Sequence, residues 1–296
     1  MRALPSLFAA AVLCLAGATQ ADEFDSGAPA PAAQSFKLGA LTLIALRDTQ
    51  FVLHNDAKIF GVDAGIPAVA AVLKAAGVPD DRIMLSVDAL IVRTGKRVVL
   101  LDTGNGPKGQ GALLASLKAA GISPTAVTDV LITHTHGDHV GGLLDASGKP
   151  AFANAAIRMS TAEWAWMRDQ PKASELVAAI TAQIRTFTPG TVVAPGITAV
   201  ALDGHTPGHV GYEIVSGKHK MLDIGDLAHS SVISLQKPVW AMGFDSDPAL
   251  ANATRRTTLA RLAREQEWVF APHFPYPGVG HVVADGDAFK WVAGTP

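Results

Sequence analysis

The stretch TDVLITHTHGDH, residues 128–139, contains the most informative motif of the sequence. Its apolar beginning predicts a buried strand, and four side chains that can bind a metal follow within the six residues His134–His139. His134 and His136 are two residues apart, so an extended backbone points both imidazoles to the same side, where they can bind one metal. Gly137 lets the chain turn, so that Asp138 and His139 can face a second metal. Imidazole nitrogen and carboxylate oxygen suit zinc, and also manganese, iron or cobalt.

Further candidate ligands lie downstream, each beside the end of a predicted strand. His205 and His209 occupy a segment between two strands, where a Pro and two Gly residues predict a turn, and either imidazole could face the metals. Asp226 follows the apolar run that ends at Ile224, and His273 follows the run that ends at Ala271. Any one of these residues alone would more often be structural, but a set of four sites, each at the junction of a strand and a loop, would arise much less often by chance.

Composition excludes several classes of protein. The 296 residues include 24 Lys and Arg against 26 Asp and Glu, a net charge of −2 that argues against a nucleic-acid binder. Hydrophobic residues make up 49% of the chain and charged residues 17%, which excludes a disordered protein. A single cysteine excludes a zinc ribbon and a disulfide scaffold.

The N-terminus is typical of a secretory signal peptide, with one basic residue, a short apolar run and small residues over positions 1–21. Cleavage after Ala21 or after Ala18 fits this pattern equally well. Residues 22–35, rich in Ala, Pro, Asp and Gly, predict a flexible leader, and residues 36–296 predict one domain without an internal linker. We therefore expect a secreted or periplasmic protein without a stable membrane anchor.

Short apolar runs alternate with helical patterns along the domain. The predicted strands are Phe36–Leu46, Ala89–Arg93, Val98–Leu101, Thr128–Thr133, Ala156–Met159, Ile197–Leu202, Tyr212–Val215, Lys220–Ile224 and Trp268–Ala271. Helices are predicted at Pro67–Ala76 and Gln110–Ala120, after the capping box Ser160–Glu163, and after Asp247-Pro248. Strands and helices mixed in this way predict a layered α/β protein.

These motifs together resemble the metallo-β-lactamase superfamily. The resemblance implies a four-layer αββα sandwich with the metal site at one edge, between the two sheets. It is closer to one branch, the secreted methyl parathion hydrolases and related lactonases. The stretches that carry it are Leu100–Gly104, His134–His139, Gly204–His209, Gly225–Leu227 with His229, Asp245–Asp247 and His273–His281.

The resemblance implies two divalent metal ions, with Zn²⁺ the leading choice and Mn²⁺, Fe²⁺ or Co²⁺ as alternatives. It implies that His134, His136 and His209 hold the first metal, that Asp138, His139 and His273 hold the second, and that Asp226 bridges both. Asp226 and Asp138 are the expected catalytic residues, Asp138 through a hydrogen bond to a bridging hydroxide. Asp102 either orients a ligand histidine or caps a turn, and His205 is expected outside the ligand set.

A hydroxide shared by two metals is a nucleophile at neutral pH. The resemblance therefore implies a hydrolase for neutral small molecules, with lactones, including acyl-homoserine lactones, ahead of organophosphate triesters. A β-lactamase, a non-catalytic metal-bearing binding module and an iron redox protein remain alternatives. Trp166, Phe274 and Tyr276 are candidates for an apolar substrate pocket, although Phe274 is as well explained as core. Related proteins are often dimers, so a homodimer is also open.

Overall fold

The computed structural model describes residues 24–25 and 29–296. Their strands form two sheets. The first sheet holds β1 (Phe24–Asp25), β2 (Ala33–Leu38), β3 (Leu41–His54), β4 (Arg82–Thr94), β5 (Arg97–Leu101), β6 (Asp129–Leu131), β7 (Ala156–Ser160) and β8 (Ile184–Phe187). The second holds β9 (Val192–Ala194), β10 (Ile197–Ala201), β11 (Val210–Ser216), β12 (His219–Asp223), β13 (Trp268–Phe270), β14 (Val279–Asp285) and β15 (Ala288–Ala293).

The strands of each sheet follow the chain closely. The first sheet has the order β1-β3-β4-β5-β6-β7-β8, with β2 paired to β3, and the second runs from β15 to β9 in reverse order. Pairing is parallel from β5 through β8 and between β12 and β13, and antiparallel elsewhere. The parallel strands β6, β12 and β13 lead into the segments of His134, Asp226 and His273, and the antiparallel strands β10 and β11 flank the segment of His205 and His209.

Helices cover the outer face of each sheet. They are α1 (Ile66–Ala75), α2 (Leu113–Ala119), α3 (Gly137–Val140), α4 (Thr161–Arg168), α5 (Ser174–Ile180), α6 (Ile233–Gln236) and α7 (Pro248–Glu265). No helix of the described residues is both long and apolar enough to cross a bilayer.

Three clusters of buried hydrophobic side chains fill the spaces between the layers. Residues such as Leu90 and Tyr212 fill the space between the two sheets. Leu117 and Met167 pack α2 and α4 on the first sheet, and Leu259 packs α7 on the second. Helix, sheet, sheet and helix therefore form the four layers of an αββα sandwich, which confirms the predicted fold class.

The predicted elements differ from the structure in several places: β4 begins at Arg82 and not at Ala89, and β8, β9, β14 and β15 were not predicted. The run Phe36–Leu46 is not one strand but the hairpin of β2 and β3, which turns at Gly39 with a φ of 57°. β1 and the first residues of β2 lie within the predicted flexible leader, residues 22–35, so those parts are ordered strand. The predicted signal peptide, residues 1–21, lies outside the described residues.

Candidate metal centre

The candidate ligands meet at one edge of the sandwich, between the two sheets. The segment that holds His134 leaves β6, while Asp226 and His273 follow β12 and β13. Two hydrogen bonds join the sheets beside them: the Val210 N–H donates to the Thr133 carbonyl at 3.0 Å, and the Tyr212 hydroxyl donates to the Ile132 carbonyl at 2.7 Å. The sheets therefore hold the ligand segments at a fixed separation.

One cluster contains three histidines. Nδ1 of His136 lies 3.1 Å from Nε2 of His134 and 3.0 Å from Nε2 of His205. The Asp226 Oδ2 atom lies 3.4 Å from the first of these Nε2 atoms and 3.2 Å from the second. Four ligand atoms thus surround one point, as the first site of a metal pair requires.

A second cluster lies on the other side of the same carboxylate. Asp226 Oδ1 is 3.1 Å from Nε2 of His139 and 3.0 Å from Nε2 of His273. Asp138 Oδ2 is 3.7 Å and 3.6 Å from these two nitrogens. Asp226 therefore offers one oxygen to each cluster, the position of a bridging ligand.

The hydrogen bonds of the histidines show that the clusters suit a cation. Nδ1 of His139 donates to Asp102 Oδ2 at 2.7 Å, and Nδ1 of His273 donates to the Ser86 carbonyl at 2.7 Å. In a neutral imidazole each Nε2 then carries a lone pair that faces a carboxylate oxygen. Neither Nε2 atom, nor Asp226 Oδ1, has a hydrogen-bond partner among the described residues. A metal ion between these atoms, or a proton on each Nε2, makes the arrangement favourable.

Electrostatics gives the clustered histidines different protonation states. Burial is the largest effect on His134 and His136 and holds their pKa values well below the usual range, so both imidazoles are neutral at pH 7. Burial raises the pKa of Asp226, but the nearby histidines, His139 first, outweigh it and hold that pKa well below its usual range. Burial lowers the pKa values of His139, His205 and His273, but the nearby carboxylates, Asp226 first, outweigh it and raise them, to about 9 for His205. The centre therefore offers an ionised carboxylate, and metal binding has to displace protons from these three imidazoles.

His205 and His209 exchange the roles that we expected. Both nitrogens of His209 are already used: Nδ1 donates to the Leu202 carbonyl at 2.7 Å, and Nε2 accepts the Asp226 N–H at 3.0 Å. His205 instead points Nε2 into the first cluster. The structure thus gives His205 the ligand position and makes His209 a hydrogen-bonding support of the Asp226 backbone.

Buried acids orient several of the ligand histidines. Asp102 accepts from His139 Nδ1 and from the N–H and hydroxyl of Thr133, at 2.7–2.8 Å, and adopts a left-handed φ of 56°. Of the two roles expected for Asp102, these contacts therefore support the one in which it orients a ligand histidine. Asp245 accepts from His205 Nδ1 at 2.9 Å and from Arg255 at 2.9 Å. The sequence analysis assigned no role to Asp245 or Arg255, because Arg255 lies on α7, far from the histidines in sequence.

Of the three aromatic residues expected near the centre, only Trp166 lies beside a clustered histidine. Trp166 is half-buried, with its ring 5.9 Å from that of His136. Phe274 is fully buried in the cluster under α7, and the hydroxyl of Tyr276 donates to the Ala45 carbonyl at 3.2 Å, so these two expected pocket residues are structural. Sequence reasoning missed Phe244, which is half-buried with its ring 5.7 Å from that of His229.

Comparison with known proteins agrees with this geometry. The family described as "Metallo-beta-lactamase superfamily" matches residues 82–273. The structure of AidC, a dizinc quorum-quenching lactonase with a bound homoserine product, superposes with a TM-score of 0.84 at 28% identity and covers 90% of this chain and 98% of AidC. The hydrolase AbOPH superposes with a TM-score of 0.80 at 27% identity, over 89% and 98% of the two chains.

Curated relatives match over different lengths. An N-acyl homoserine lactonase from Bacillus sp. is 24% identical over 217 residues, which cover 66% of this chain and 84% of the lactonase. Metallo-beta-lactamase domain-containing protein 1 from Xenopus laevis is 41% identical over 70 residues, so the chain spans only 27% of that relative. Because the family match covers well over half of the chain and the His/Asp clusters lie where that fold binds metal, the chain belongs to the metallo-β-lactamase superfamily and is a metal-dependent hydrolase.

Proposed function

We propose that the protein is a dizinc lactonase that opens the rings of neutral lactones, with N-acyl homoserine lactones as the leading class. The observation that carries this proposal is the pair of ligand clusters that share the two oxygens of Asp226. Two metals in such sites supply an acidified water and a Lewis acid for the carbonyl oxygen. The similarity to AidC and to the Bacillus lactonase supports the substrate class.

The residues around the clusters favour a neutral substrate. Every ion pair of Asp138 and Asp226 among the described residues is made with a histidine. Arg255 is buried behind the centre with its charge taken up by Asp245 at 2.9 Å. Among the described residues no Lys or Arg pairs with Asp138 or Asp226, so these contacts add no side-chain charge that would hold a phosphate monoester or a polycarboxylate.

The chain's own side chains can bind and orient a lactone. Trp166 and Phe244 provide apolar surface beside His136 and His229, where an acyl chain can pack. The Asp138 side chain is 22% exposed and faces both His139 and His273. It can therefore accept a proton from the attacking water and pass it to the ring oxygen as the lactone opens.

Hydrolysis assays on the zinc-loaded protein test the proposal. N-hexanoyl and N-decanoyl homoserine lactones should be opened, with release of one proton per ring, and Asp226→Asn should lose at least about 100-fold in kcat/KM, as expected when a bridging ligand is weakened. Methyl parathion tests the organophosphate alternative, and nitrocefin tests β-lactamase activity. Turnover of either without lactone opening would replace the proposed substrate, and tight lactone binding without product would favour a binding module.

A further inference from the structure

Glu163 stands out among the buried acids because it contacts no candidate ligand directly. It lies in the first turn of α4, is 0% exposed, and forms no ion pair among the described residues. The Ser160 hydroxyl caps the helix by accepting the Glu163 N–H at 3.0 Å, as the capping box predicts. The carboxylate, however, does not return to the cap. It points away from the helix, toward two segments that carry histidines.

Each carboxylate oxygen holds one of these segments. Oε1 accepts from both the N–H and the hydroxyl of Thr135, at 2.7 Å each, and Thr135 lies between His134 and His136. Oε2 accepts from the Thr206 hydroxyl at 2.7 Å and from the Gly208 N–H at 3.1 Å, in the loop that carries His205. All four donors thus belong to the segments that form the first cluster.

The loop of His205 is also seated against α4 by independent contacts. The Ser160 hydroxyl donates to the Gly208 carbonyl at 2.7 Å. A Cβ at position 208 would lie 2.2 Å from the Glu163 backbone nitrogen, so only glycine permits this approach. The helix N-terminus and the carboxylate therefore hold the loop from two directions.

We infer that Glu163 is a positioning residue that sets the spacing of His134, His136 and His205, and thereby the affinity of the first metal site alone. This inference rests on the proposed metal pair. Burial raises the pKa of Glu163, although its four donors act in the opposite direction. An ionised carboxylate at this position therefore costs stability, and that cost is consistent with a role in the site. The second cluster lies on α3 and after β13, where Glu163 makes no contact.

Glu163→Gln is a sharp probe of this role. The Thr135 and Thr206 hydroxyls can rotate, but the N–H groups of Thr135 and Gly208 can only donate. Glutamine has one acceptor oxygen and one NH₂ group, so it can accept only one of the two N–H groups and must confront the other with a donor. One histidine segment is therefore released while the side-chain volume is kept.

Zn²⁺ titration against a competing chelator should show two affinities for the parent protein. In Glu163→Gln the affinity of the site that His205→Ala also weakens should fall about 10- to 100-fold, while the other stays within about twofold. His205→Ala and His273→Ala assign the sites, and Glu163→Gln should resemble His205→Ala. Thr206→Val, which removes one donor, should give a smaller loss at the same site and serves if Glu163→Gln does not fold. Glu267→Gln removes a buried acid that pairs with Arg261, far from the site, and should leave both affinities unchanged.

Three results would overturn the inference. Two unchanged affinities in folded Glu163→Gln would refute it and leave the proposed function standing. Equal losses at both sites would show general loosening of the fold and not a site-selective role. A parent protein that binds fewer than two zinc ions would contradict both the inference and the proposed metal pair.

Discussion

Asp245→Asn should weaken the centre through a residue that touches no metal. Asp245 is buried and accepts from His205 Nδ1 and from Arg255, each at 2.9 Å. Burial raises its pKa, but His205 and Arg255 outweigh that effect and hold the pKa below its usual range, so the carboxylate is charged. The amide removes that charge and exposes the buried guanidinium of Arg255 to a partner that cannot neutralise it.

The size of the effect follows from burial. Breaking a buried ion pair by removing one partner costs about 3–5 kcal/mol. Arg255 keeps its donors to the carbonyls of Leu227 and Pro238, so we expect the lower end of that range. At about 2–4 °C per kcal/mol for a domain of this size, the Tm should fall by about 6–12 °C. Zinc affinity at the site of His205 should fall about 10- to 100-fold, because the imidazole loses its orienting acceptor.

Calorimetry and zinc titration of the purified variant check both numbers. Asp247→Asn is the matched control in the same loop, since Asp247 caps α7 by accepting the Leu250 N–H and asparagine caps equally well. That control should stay within about 0.5 kcal/mol of the parent. A parent-like Tm together with parent-like zinc affinity in Asp245→Asn would refute the reasoning.

Two further predictions rest on contacts in the structure and one rests on the N-terminal sequence. His205→Ala should bind one zinc ion where the parent binds two. His209→Ala should still bind two, but its unpaired partners should lower the free energy of unfolding by about 1–3 kcal/mol. Metal analysis and calorimetry distinguish these outcomes, and the reverse pattern would show that His209 is a metal ligand. Asp88 has both carboxylate oxygens buried without a hydrogen-bond partner among the described residues, and burial raises its pKa well above 3.8. Above that pH the folded protein therefore binds more protons than the unfolded chain, so its stability falls as the pH rises. Asp88→Asn should raise the free energy of unfolding by about 1–3 kcal/mol at pH 8 and by less at pH 5. Equal gains at the two pH values would be inconsistent with a charge penalty. Intact-mass measurement of the exported protein should show a chain that begins at Asp22 or Thr19, and an unprocessed N-terminus would contradict the predicted signal peptide.

Local motifs predicted what depends on local geometry. His134–His139 could be recognised because a strand followed by a glycine turn fixes the directions of neighbouring side chains within a few residues. Asp226 and His273 could be placed because strand ends in an αββα sandwich meet at one edge. The layered fold followed from alternating strands and helices, and the structure confirms it.

The sequence could not predict those features of the site that depend on contacts between distant residues. His205 and His209 are equally good ligands by spacing, and the choice depends on Asp245 and on the Asp226 N–H, which lie elsewhere in the chain. Phe274 follows His273 directly, yet its side chain turns into the core against Trp291, with ring centroids 5.0 Å apart. After a strand has ended, the position of a residue next to a ligand in the sequence does not determine where its side chain points.

Anomalous diffraction from crystals of the zinc-loaded protein, recorded at the zinc absorption edge, would show whether the protein holds two zinc ions and which residues bind them. We expect two peaks: one about 2.0–2.1 Å from His134 Nε2, His136 Nδ1 and His205 Nε2, the other at the same distance from Nε2 of His139 and His273, with Asp226 between them. A single peak, or a peak bound by His209, would contradict the dinuclear centre described above.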